Sequence, residues 1–150
     1  MKEAKEQQLL NIDKTELAHI AEHYGLRFII LHGSFAKNTA DETSDIDIAI
    51  LPQKPLNTEQ FFQLQCDIER TIDLRERELD FKTLEMADPL FRYEVVIGGS
   101  LLYGDQADFE NYKATTINMY EDVRPLFALE RILSQRIQHR LETLYLKHAQ

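Results

Sequence analysis

The sequence predicts an α/β (α+β) fold: a small mixed β-sheet flanked by helices, with a C-terminal helical tail. Three observations predict it. Short β-branched and aromatic runs alternate with stretches whose apolar residues recur every three or four positions. From Ala107 to Lys147 the pattern is helical, interrupted or kinked at Pro125. With 43% apolar residues in 150, the chain can fill the core of one domain, since a chain of this length buries roughly 68–70% of its unfolded surface. One domain over 1–150 is expected, with a core over about 15–105 and C-terminal helices over about 106–148.

The elements follow in order. Asp13 with Glu16 resembles a capping box, Leu17, Ile20, Ala21 and Tyr24 share a face, and Gly25 stops the helix. Arg27 to His32 is a β-branched and aromatic run, a central strand ended by Gly33-Ser34. Ser34 to Ala40 can make one or two helical turns, and Asp41 to Ser44 is loop chemistry. Asp45 to Leu51 alternates with period two and is closed by Pro52 and Pro55. Asn57 with Gln60 caps a helix whose apolar face is Phe61, Leu64, Ile68 and Ile72. Glu78 to Leu84 alternates again. Asp88-Pro89 is a cap followed by proline at the first helical position, and Gly98-Gly99 ends that helix. Ser100 to Tyr103 is a last short strand.

Composition excludes several classes. The single Cys66 rules out an internal disulfide framework and a cysteine zinc cage. No apolar run approaches the ~18–20 residues of a membrane span, and the MKEAKEQQ start has no apolar leader stretch, so a cytoplasmic protein off the membrane is expected. A formal charge of −9 argues against direct nucleic-acid binding, which neutralises phosphates with Lys and Arg. It does not exclude a small anionic substrate held with metal ions. The charge is uneven: residues 124–150 carry +3 and the remainder −12. The basic tail either docks on its own acidic body or meets a partner. Its leucine stripe (Leu126, Leu129, Leu133, Ile137, Leu141, Leu144) is expected to pack as core, with Arg131, Arg136 and Arg140 suited to an acidic neighbour.

The chemistry is carried by Gly33-Ser34, ten residues, then Asp45-Ile46-Asp47. Carboxylates at i and i+2 of a strand share a face, with Cβ atoms roughly 6–7 Å apart. That separation suits two hard cations about 3.5–4 Å apart, and Mg²⁺ takes oxygen ligands from carboxylates and substrate phosphates. Where a strand turns into a helix at Gly-Ser, backbone N–H groups and a hydroxyl are available to phosphate. A residue without Cβ permits close approach. Asp80 stands between the apolar Leu79 and Phe81 and faces the other side of its strand. If that strand pairs beside Asp45 to Leu51, three carboxylates meet, and a divalent cation relieves their repulsion. Asp80 could also accept a proton from an attacking hydroxyl. The plainer alternative makes Ser34 a helix cap and Asp45 and Asp47 the solvent face of an edge strand. Aspartate is depleted in strands, which weighs against it.

Gly33-Ser34-Phe35-Ala36-Lys37, Asp45-Ile46-Asp47-Ile48-Ala49 and the downstream Asp80 together resemble the nucleotidyltransferases of the DNA polymerase beta superfamily. The short length and spacing resemble the minimal nucleotidyltransferases, antitoxins paired with a HEPN-domain ribonuclease toxin. The resemblance covers about residues 15–105. It implies ATP as substrate, Mg²⁺ in a two-metal site, and AMP transfer to a tyrosine of the toxin with release of pyrophosphate. It also implies a hetero-oligomer with that toxin. Carried over residue by residue, Asp45 and Asp47 hold both metals, Asp80 completes one shell, and Gly33 and Ser34 hold the β and γ phosphates. Many relatives carry Arg-Gly after the Gly-Ser-x-Ala segment, and Lys37-Asn38 stands there instead. Lys37 can neutralise a phosphate as a point charge, without the fork of arginine. Two alternatives are a non-catalytic antitoxin that neutralises by complex formation and an aminoglycoside-type small-molecule nucleotidyltransferase. The second has little chain left for a substrate domain.

Other residues fit structural roles. His32 is expected to be packed rather than a metal ligand, since hard Mg²⁺ prefers oxygen. Lys82 and Arg92 are expected to be solvated charges, though either could reach the nucleotide. Cys66 is expected as a small core residue.

Overall fold

The apolar runs of Leu26–His32 and Ile46–Pro52 form the two inner strands of a four-stranded mixed sheet. The computed structural model describes residues 10–148, so the MKEAKEQQ segment lies outside the described residues. In chain order the elements are α1 (Lys14–His23), β1 (Leu26–His32), the single helical turn α2 (Gly33–Ala36), β2 (Ile46–Pro52), α3 (Thr58–Glu69), β3 (Leu79–Thr83), α4 (Pro89–Gly98), β4 (Ser100–Tyr103) and α5 (Gln106–His148). The strand order is β3-β2-β1-β4. β1 runs antiparallel to β2 and β4, while β2 and β3 are parallel.

Local chemistry sets the helix ends. The Asp13 carboxylate accepts from the Thr15 and Glu16 amides. Asn57 and Gln60 make a reciprocal capping box. Asp88 accepts from the Phe91 amide ahead of Pro89. Each cap satisfies amide groups that a helix start leaves without partners.

Both faces of the inner strands are buried, which is why they read as nearly unbroken apolar runs. Ile29, Leu31, Ile46, Ile48 and Ile50 pack with Leu17 of α1 and Leu64 and Ile68 of α3. Phe28, Ile30 and Ala49 face Val95 and Val96 of α4 and Phe109 of α5. Arg27 ties β1 to α5: its Nε and Nη2 donate to the two Asp108 oxygens at 2.8 and 2.7 Å.

Two expectations need correction. The leucine stripe of the tail is not core. Leu126, Leu129, Leu133, Ile137, Leu141 and Leu144 are all exposed, so among the described residues the tail does not dock on its own body. α5 packs on the sheet and α4 only through its first turns, where Phe109 and Thr116 are buried, and it continues through Pro125 as one helix. Cys66 is exposed. At about 100° per residue it lies roughly 200° from Leu64, on the far side of α3 from the buried face. No helix among the described residues is long and apolar enough to cross a membrane.

Candidate active site

β1 ends at His32 and the chain turns at once into α2. β2 lies beside it, with His32 opposite Asp47. On the other side of β2, Asp47 is the register partner of Asp80. Both carboxylates lie on the α4 side of the sheet. This follows from alternation, because Ile46 and Ile48 go to the opposite core and so does Phe81. An interior strand therefore presents one acid to its neighbour's acid. The edge-strand alternative fails, because β2 is flanked by β1 and β3.

Gly33 explains how Asp47 is housed. Its φ is +69°, and a Cβ there would stand only 2.7 Å from the Asp47 Cγ. Only glycine leaves that space and adopts that backbone region without strain. Burial, first, and then the nearby Asp80 charge hold the Asp47 carboxyl above the usual carboxylate range. Asp45 adds to the rise, and Lys82 offsets part of it.

Asp45 is placed differently. β2 begins at Ile46, so Asp45 is an exposed residue just ahead of the strand. Its loop is held on both sides. Asp41 Oδ1 accepts from the Thr43 amide and from the Thr43 and Ser44 hydroxyls. Arg77 Nη1 donates to the carbonyls of Asp41 and Ser44 at 2.8 and 3.0 Å, and its guanidinium lies over the Phe35 ring. Arg77 gives no sequence signal for this role, which appears only once β3 pairs with β2.

Two lysines reach the same region. Lys82 Nζ donates to Asp80 Oδ2 at 2.6 Å and stands 5.6 Å from the Phe91 ring centroid. It is thus partnered in the site rather than merely solvated. Lys37 is exposed at the end of α2. A Cβ on Gly98 would lie 3.1 Å from its Cε, which places its stem against the end of α4. Ser34, on the first turn of α2, is half-buried, and the side chain of His32, which stands at the cap position, does not cap that turn. His32 is buried against Phe91, its Nε2 has no hydrogen-bond partner, and burial pushes its pKa down to about 4. It is packed, as expected of a histidine beside a site for a hard cation. Arg92 is only half-exposed and its Nε is buried, so it is not a freely solvated charge.

The structure thus brings Asp47 and Asp80 together, sets Asp45 at their margin, and places Gly33, Ser34 and Lys37 on the adjoining turn. Among the described residues no three His, Cys, Asp or Glu side chains already surround one point as a metal cage. The donor set nonetheless fits a hard divalent cation. It is all carboxylate oxygen, and the Asp80 charge, which adds to the effect of burial on Asp47, is the kind a cation relieves. An open cleft of about 520 Å³ runs along the β3 edge beside it, lined by Phe61, Phe81, Lys82 and Phe91 among others.

The family model described as Polymerase beta, Nucleotidyltransferase matches residues 15–108. The protein adenylyltransferase MntA of Shewanella oneidensis is 31% identical over 99 residues, covering 66% of this chain and 69% of that protein. Among solved structures, a toxin–antitoxin complex with AMP-PNP matches with a TM-score of 0.66 at 24% identity, over 81% of this chain and 99% of that one. A second holds a tri-AMPylated Shewanella oneidensis HEPN toxin with its MNT antitoxin. It matches with a TM-score of 0.61 at 24% identity, over 85% of this chain and 98% of that one. These two likenesses bear on the fold.

Proposed function

Because this chain belongs to the polymerase beta nucleotidyltransferase family, we propose that it transfers AMP from ATP to a tyrosine of a partner HEPN-domain toxin and so silences it. In this reading the chain is one cytoplasmic catalytic domain with a helical tail, working in a hetero-oligomer with the toxin. The observation that carries the reading is the pairing of Asp47 with Asp80 across β2 and β3, against the Gly33 turn. It is supported by the relative named a protein adenylyltransferase and by the neighbour whose toxin is tri-AMPylated.

In the reaction the tyrosine oxygen attacks the α-phosphorus of ATP. The new O–P bond forms as the bond to the pyrophosphate oxygen breaks, and the phenolic proton passes to the Asp80 carboxylate. Asp45, Asp47 and Asp80 would hold Mg²⁺, which when bound neutralises charge on the triphosphate and lowers the pKa of the attacking hydroxyl. Gly33 and Ser34 bind the β and γ phosphates through backbone N–H and hydroxyl. Lys37, on its exposed stem, neutralises phosphate charge. Lys82 leaves the Asp80 oxygen as the site fills. The residues do little covalent work, and positioning and charge neutralisation supply the rate.

Intact-mass measurement of the co-purified toxin tests the reading. AMP-sized increments on a tyrosine are expected with the wild-type chain. An inhibited but unmodified toxin would assign the chain to neutralisation by complex formation instead.

A further inference from the structure

Among the described residues nothing covers the distal part of α5. Tyr120 stacks on Tyr93 with ring centroids 4.2 Å apart, and beyond Phe127 every residue to Leu146 is exposed. Leu126, Leu129, Leu133, Ile137, Leu141 and Leu144 are 47% to 64% exposed. Their spacing of three or four puts all six within about 60° of one line along the helix. The stripe from Leu126 to Leu144 is about 27 Å long at about 1.5 Å per residue. A continuous apolar surface of that length marks a place where another molecule binds.

The charge beside the stripe is one-sided. By the same angular count Arg136 and Arg140, four residues apart, lie along one border of it. Glu130 falls near the opposite border and Glu142 on the far face of the helix. The family match ends at residue 108, so the stripe lies beyond the matched catalytic region.

We propose that this face is the docking surface for the protein that carries the acceptor tyrosine. Its occupant is an apolar helical surface bordered by carboxylates that meet Arg136 and Arg140. The inference rests on the AMP-transfer reading for the identity of that protein. Charge favours it over a second copy of this chain. Antiparallel pairing of two tails sets the arginine border against itself. Parallel pairing brings two bodies of charge −12 side by side. Docking on the tail leaves the Asp47–Asp80 region open, and it makes each transfer effectively intramolecular, at a raised local concentration of acceptor.

The test uses the full chain, alone and with its HEPN-domain partner, in sedimentation velocity. Two double variants are compared with wild type: Ile137→Asp with Leu141→Asp, and Arg136→Glu with Arg140→Glu. The wild-type chain alone should sediment as a monomer. The apolar variant should lose partner affinity by roughly a hundredfold or more. The charge variant should lose about tenfold at ~0.1 M salt and less at ~0.5 M. Both should bind ATP as wild type does, which shows that the catalytic domain is folded. Variants that bind the partner as wild type does would overturn the proposal. So would a wild-type chain that binds no HEPN partner, or one that forms a dimer which the apolar variant dissolves. A partner bound but never carrying AMP would sink the AMP-transfer reading and leave the docking surface standing. AMP transfer with binding unaltered in both variants would do the reverse.

Discussion

Asp47 and Asp80 occupy the same rung of the parallel β2–β3 pair, and the room for Asp47 exists because residue 33 has no side chain. Two acids on adjacent strands repel, and Lys82 holds one of them. The arrangement carries a cost to the folded state, which Lys82 offsets in part.

Gly33→Ala tests that geometry. The new methyl would meet the Asp47 carboxylate, in a backbone region that costs a non-glycine residue about 1–3 kcal/mol. The expected outcome is a loss of stability on that order in urea unfolding, together with loss of ATP binding by calorimetry. Unchanged values in both would show that the turn can relax away from Asp47.

The raised pKa of Asp47 fixes a sign for stability. A carboxyl whose folded-state pKa lies above its ordinary 3.8 favours the folded state when protonated, below the ordinary value. That contribution is lost as pH rises through the folded pKa. Asp47→Asn removes the penalty, so the variant should be more stable than wild type at pH 7. The gap should narrow as pH falls through the raised pKa. Thermal unfolding at pH 7 and in the acid range checks this. Mg²⁺ added at pH 7 should raise the melting temperature of wild type and leave that of the variant nearly unchanged.

In the proposed mechanism Lys82 and a metal ion compete for Asp80. The pair is exposed on both sides, so its own worth is modest, about 0.2–1 kcal/mol. Lys82→Ala should therefore tighten Mn²⁺ binding in the absence of nucleotide by roughly two- to fivefold, read by electron paramagnetic resonance. Weaker Mn²⁺ binding would mean that the amine organises the carboxylates rather than occupying them.

The Arg27–Asp108 pair isolates the helix anchor from the chemistry. It is bidentate, yet both side chains are partly exposed. Asp108→Ala should lower the midpoint of chemical unfolding slightly and leave ATP binding unchanged. A loss of nucleotide affinity would show that α5 docking shapes the site.

Much of this was legible in the residues. Strand and helix order followed from the switch between periods of two and of three to four, and Asp80 declared itself by standing among apolar neighbours. Three things were not legible. An apolar stripe on a helix looks the same whether its own body or another protein covers it, so the exposure of Leu126 to Leu144 needed the fold. Lys82 shares a face of β3 with Asp80, two residues away, but only the β2–β3 register, which sets Asp80 beside Asp47, puts that pair in the site. Arg77 acts through backbone carbonyls more than thirty residues away in sequence, a contact that leaves no pattern. Cys66 departs from its expected core place for a reason the sequence contains: two residues from Leu64, it is turned away from the core.

The central claim is that AMP leaves ATP at the Asp47–Asp80 rung. The most direct measurement incubates purified toxin with ATP labelled at the α-phosphate or at the γ-phosphate, using the wild-type chain and the Asp45→Asn, Asp47→Asn double variant. The account predicts α-label on the toxin with wild type, no γ-label, and neither label with the variant at unchanged fold. Label from the variant, or γ-label with wild type, would contradict it.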